Sequence, residues 1–140
     1  GAFPGMVVMT TVLTLQAFMF ADGGFTALGT NVFNMAMVGG LLVYGLFSLT
    51  IRLVKPSKKL FLILAGLFAW LSVVLASLAA AVQISLSGLI PFGLSITAMG
   101  SVHALIGIGE GLITAAALSL LITQRPDLIQ SWPHQGDDNE

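Results

Sequence analysis

Glu110 and His103 are the two residues with the clearest chemical potential. Glu110 stands inside a long apolar run. An ionisable side chain at the centre of a membrane-spanning helix costs about 2.5–3.5 kcal/mol on insertion scales, so such a group has to be packed inward or used. His103 lies seven residues earlier. Seven residues turn a helix through about 700°, close to two full turns, so both side chains share a face. Gly107, Gly111 and Thr114 lie along the same stripe, and Gly107 with Gly111 makes a small-xxx-small pair that lets a second helix approach closely. Two readings of Glu110 stand side by side. It is either a protonated or hydrogen-bonded packing residue that fixes helix register, or a group lining a polar path or supporting an ion site. His103 is either an interfacial side chain bonded to a neighbour or, with partners from other helices, a metal ligand.

A second polar set lies upstream. Asp22 follows an apolar run in Ala21-Asp22-Gly23-Gly24, and Asn31 and Asn34 open the next run. Each has an ordinary explanation. Asp22 with two glycines makes a turn, and Asn31 makes a helix N-cap. Gln16, about one turn inside the first run, adds to them. Taken together, Gln16, Asp22, Asn31, Asn34 and His103 all fall in one half of the membrane, which suits a protein that receives a polar solute on that side. The six methionines are scattered through apolar runs and read as core filler. There is no Walker-type phosphate loop, no Ser/His/Asp set and no His-Glu-x-x-His. No catalytic residue and no metal ligand is assigned, and no tightly bound cofactor is expected.

The elements that must carry these residues follow from composition. Of 140 residues, 56% are apolar and 8% charged, where a soluble domain has about a quarter charged. Arg52, Lys55, Lys58 and Lys59 form one cluster. Arg125, Asp127, Asp137, Asp138 and Glu140 form another, which leaves Asp22 and Glu110. No soluble fold of this size covers its surface with such a composition. Soluble enzyme, nucleic-acid binder and disordered chain are excluded. With no cysteine, iron–sulfur and thiolate metal sites are excluded as well.

Apolar runs of about 20 residues without alternation predict helices rather than barrel strands. The expected fold is all-α integral membrane with about four spans, near 3–20, 31–51, 60–83 and 101–123. Residues 94–99 are read as a short interfacial segment set off at Gly100. Residues 125–140 are read as a polar cytoplasmic tail. The basic 52–59 hairpin is cytoplasmic by the positive-inside rule, which puts the Asp22 loop and the 84–93 connection outside and the C-terminus inside.

The two polar sets fall within longer strings that resemble a known family. Leu15–Ala36, with Phe20-Ala21-Asp22-Gly23-Gly24-Phe25 and Leu28-Gly29-Thr30-Asn31 at its heart, resembles a signature of the cobalt/nickel substrate-capture subunits (CbiM/NikM type) of energy-coupling-factor transporters. Val102–Thr114 resembles that family's last-span signature, followed by Arg125-Pro126-Asp127-Leu128. Ala69-Trp70-Leu71-Ser72 fits between them. The resemblance covers about residues 1–128.

The resemblance implies uptake of Co²⁺ or Ni²⁺ across a prokaryotic inner membrane. It also implies a transmembrane coupling subunit and two ATPase subunits as partners, and for cobalt members a link to cobalamin synthesis. Family members are longer, with about three spans upstream and a metal held by a Met-His-Ile-Pro-Asp-Gly amino terminus and a further upstream His. Neither is in this sequence, so it reads as the C-terminal portion of a roughly seven-helix bundle, starting inside a longer protein or at a processed end, or completed by another chain. The alternative is a structural or channel-type helical subunit without a metal role.

Overall fold

The computed structural model describes residues 1–21 and 23–129. Asp22 and the tail beyond Ile129 lie outside the described residues. Four helices are long and apolar enough to span a membrane: α1 (Ala2–Met19), α2 (Phe25–Val54), α3 (Lys58–Leu86) and α4 (Phe92–Gln124). Among the described residues there are no strands. This is a multi-pass helical membrane protein.

Local chemistry sets the helix ends. Between α1 and α2 the backbone turns through left-handed conformations at Ala21, Gly23 and Gly24. Glycine reaches that region without strain. Lys55, also left-handed, ends α2, and Pro56 follows it. The Ser57 hydroxyl accepts from the Leu60 amide to cap α3. At the far end of α4, Arg125 donates through two nitrogens to the Asp127 carboxylate, with Nη2 at 2.8 Å. That pairing raises the guanidinium pKa, which is already far above neutrality, so the clamp adds no pH dependence in the working range.

α2 is not a uniform α-helix. It begins with a single 3₁₀ turn over Phe25–Ala27 and widens into π-helical i→i+5 hydrogen bonding over Val32–Leu42 before returning to α from Val43. The consequence is a shift of register. Of the buried residues, Asn34, Gly39, Val43, Phe47 and Ile51 step by five and then by fours, with Ala36 buried beside them. In a straight α-helix Gly39 would sit about 140° around from Asn34. The wider turns bring Asn34 onto the inner stripe with the rest.

Each helix packs against its neighbour in sequence, and α3 with α4 is the most extensive pair. Small residues explain that closeness. A Cβ on Gly111 would fall 2.6 Å from the Gly66 carbonyl oxygen, and one on Gly107 would fall 2.9 Å from the Trp70 ring. The Trp70 indole N–H donates to the Ala104 carbonyl at 2.9 Å. The buried Ser95 hydroxyl donates to the Ala81 carbonyl at 3.0 Å. α2 meets α3 in the same manner, with the Ser72 hydroxyl donating to the Gly39 carbonyl at 2.7 Å. At the end carrying the basic hairpin, Phe47 stacks edge-on to Phe61 and Phe68 within a core that includes Ile51 and Ile122. The side chains turned away from the bundle, such as Val8 on α1 and Leu105 and Leu112 on α4, are exposed and apolar, as lipid contact requires.

Residues 94–99 are not a separate interfacial segment, and Gly100 divides nothing. α4 is continuous over 33 residues, about 50 Å, well beyond a hydrocarbon core of about 30 Å. A single helical glycine costs only about 1 kcal/mol against alanine. The ties from Ser95 and Trp70 to α3 and α4 backbone hold the helix through that point.

Candidate functional site

A cleft of about 460 Å³ opens on the inner side of the helices, and all four contribute to its wall. From α2 come Asn31 and Asn34. From α3 come the Ser72 and Ser77 hydroxyls, and from α4 come His103, Glu110 and Thr114. In a molecule whose outer faces are hydrocarbon, this is where polar atoms gather.

Asn34 is 2% exposed. Its amide nitrogen donates to the Gln83 carbonyl oxygen at 2.9 Å, and the Gln83 amide nitrogen donates back to the Asn34 oxygen at 2.9 Å. The two amides thus clasp the π-helical part of α2 to the end of α3. A buried amide lacking such a partner would be expensive in hydrocarbon, so the clasp is what permits Asn34 to be buried. Asn31 stands one turn earlier. Its side-chain amide lies so close to Gly23 that a Cβ there would collide with it. Gly23 therefore serves both the turn and the seat of Asn31.

His103 directs its Nδ1 at the Met99 carbonyl, 2.8 Å away on its own helix. A carbonyl oxygen only accepts, so Nδ1 carries the proton in this bond. The Glu110 carboxyl, two turns further along, lines the cleft and has no hydrogen-bond partner among the described residues. Also among the described residues, no three His, Asp or Glu side chains come together as a metal-holding group.

The residues singled out from sequence therefore separate. Asn31, Asn34, His103 and Glu110 come together around the cleft. Gly107 and Gly111 face α3 beside it. Gln16 is half-buried on α1 and does not line the cleft; its carbonyl accepts from the Phe20 amide at the helix end. Asp22 lies outside the described residues. Sequence reasoning missed Gln83. Its signal was there to be read, because it is the sole amide side chain in the charge-free stretch 60–109.

Comparison with known proteins gives a consistent picture. Residues 1–128 match the family model of the cobalt uptake substrate-specific transmembrane region, CbiM. The chain is 39% identical over 132 residues to a protein of Archaeoglobus fulgidus named as a fused nickel transport protein, NikMN, covering 93% of this chain and 43% of that one. It is 35% identical over 127 residues to the cobalt transport protein CbiM of Anoxybacillus flavithermus, covering 88% and 50%. The chain thus spans about half the length of these relatives. The fold is similar to the crystal structure of a truncated transition metal transporter, with a TM-score of 0.74 at 28% identity over 84% of this chain and 60% of that one.

Proposed function

Because the chain belongs to the cobalt uptake substrate-specific transmembrane family, we propose that it serves, within its native reading frame, as the substrate-capture part of an uptake system for Co²⁺ or Ni²⁺. The observation that carries this reading is the family match across residues 1–128, which takes in all four helices and every described residue of the polar cleft. Its working partners are then a transmembrane coupling subunit and two ATPase subunits of the energy-coupling-factor kind. Uptake of cobalt would supply cobalamin synthesis. The subunit itself performs no chemistry. It presents a polar wall inside the membrane along which a divalent ion exchanges its water.

The test is accumulation of radioactive nickel and cobalt by cells expressing the native reading frame with its partner subunits. Accumulation is expected to need functional ATPase subunits, and Glu110→Gln is expected to lower it severalfold. Accumulation of neither metal would sink the reading. Wild-type accumulation in Glu110→Gln would remove that residue from the path.

Orientation follows from the basic end. The Lys58 ammonium donates to the Thr123 hydroxyl at 3.2 Å, so the start of α3 and the end of α4 lie together with Arg52, Lys55, Lys59 and Arg125 nearby in sequence. By the positive-inside rule this end faces the cytoplasm of a prokaryotic cell. The chain has no cysteine, which makes a labelling test clean. Ser87→Cys is expected to react with a membrane-impermeant maleimide in intact cells, and Ser57→Cys only after permeabilisation. The opposite pattern would reverse the topology.

A further inference from the structure

The cleft holds a set of ligand atoms that its hydroxyls and amides do not account for. Met9 of α1, Met35 of α2 and Met99 of α4 all line it, alongside His103. Three of the chain's six methionines thus line this cleft. Met99 and His103 are four residues apart on one helix, which sets their side chains one above the other on one face. The same i, i+4 spacing lets two histidines of one helix hold a single metal ion.

The imidazole is already oriented for the task. With Nδ1–H committed to the Met99 carbonyl at 2.8 Å, the neutral ring keeps its lone pair on Nε2. Anchoring one ring nitrogen to a carbonyl is how metal-ligating histidines are commonly held. Thioether and imidazole are donors for soft and borderline transition metals. Mg²⁺ and Ca²⁺ take oxygen ligands instead.

We propose that Met99 and His103 form a transit site for the transition metal in the cleft, with His103 Nε2 and Met99 Sδ as ligands from α4. The site rests on the reading of the chain as a metal-uptake subunit and adds the ligands the ion meets inside the membrane. Only two protein donors are offered and both are neutral, so binding is weak by the standard of structural sites with four ligands. Weakness suits passage, because an ion in transit has to bind well enough to enter and loosely enough to leave.

The experiment titrates the purified 140-residue chain in nanodiscs with NiCl₂ and, separately, CoCl₂, reading the metal's absorption bands and X-ray absorption. One equivalent is expected to bind in the high-micromolar range. His103→Ala is expected to weaken binding by about tenfold or more, the scale on which even the partners of a ligand matter. Met99→Leu keeps the side-chain volume and so the packing, and is expected to remove sulfur from the metal's neighbours. His134→Ala, in the tail, is the control and is expected to bind like wild type. Binding unchanged in His103→Ala, a sulfur signal that persists in Met99→Leu, or binding of neither Ni²⁺ nor Co²⁺ would each overturn the site. Accumulation by cells is the separate readout. Accumulation without His103-dependent binding sinks the transit site alone, whereas His103-dependent binding without accumulation supports the site and sinks the uptake reading.

Discussion

Gly111→Leu is expected to leave no folded protein, and Gly111→Ala alone to destabilise the bundle severely. A Cβ at Gly111 would lie 2.6 Å from the Gly66 oxygen and 3.3 Å from the Gly66 carbonyl carbon. These are backbone atoms in the middle of another long helix, so no side chain can rotate away. Either α3 and α4 separate along their whole contact or the fold is lost. Overpacking of a well-packed core costs about 1–3 kcal/mol even where side chains can give. Here they cannot give, so the upper end is the floor. Alanine brings back about 1 kcal/mol of helix propensity relative to glycine, too little to offset that. Gly109 provides the internal control. It is two residues away on the same helix and a Cβ there meets nothing within 4 Å, so Gly109→Ala is expected to be neutral or slightly stabilising. Thermal unfolding in detergent, followed by Trp70 fluorescence in a Trp132→Phe background at the same pair of helices, reads both. Equal stability of Gly111→Ala and Gly109→Ala would show that α3 and α4 do not approach as closely as described.

That contact also marks how far the amino-acid sequence carries. Gly107 and Gly111 are legible as a close-packing pair, because helical spacing is local. Their partners, Trp70 and Gly66, are not legible, because which helix meets which is decided by contacts more than 30 residues apart. Spans are legible for the same local reason, since hydrocarbon thickness fixes their minimum length. Length alone misled at Gly100. A run too long for one span was divided at the nearest weak residue, whereas ties from α3 keep α4 continuous. Gln83 stands at the end of the expected 60–83 span, where an amide needs no partner. Only the register shift of the π-helical turns, which no periodicity in the run announces, brings Asn34 round to it. That Met35 and Met99 line the cleft is not legible either, because a methionine beside a cleft and one packed against a neighbour have the same spacing.

Asn34→Leu and Gln83→Met, singly, are each expected to destabilise the chain by about 1–3 kcal/mol, and the double variant to recover most of that loss. The two kinds of change are asymmetric. Removing Gln83 leaves the buried Asn34 amide with its donor and acceptor unmet, and that desolvation is the larger cost, whereas removing Asn34 strands a half-buried Gln83 and costs toward the lower end. Removing both leaves two apolar groups of similar size in contact, which is close to neutral. Hydrogen bonds between membrane helices average nearer 0.6 kcal/mol when partners can be found elsewhere. The upper range applies to Gln83→Met because Asn34 is 2% exposed and both of its polar atoms are committed to Gln83. Unfolding of the four proteins in one detergent gives the coupling energy directly, and additive losses would mean that the two amides do not act as a pair. Metal accumulation is expected to part company with stability in the double variant. Two reciprocal hydrogen bonds fix the rotation of α2 against α3, and with it the direction in which Asn31 and Met35 face the cleft. Leucine against methionine fixes only the distance. Stability without accumulation is therefore the expected result, and full accumulation in the double variant would show that the clasp holds the helices together without shaping the path.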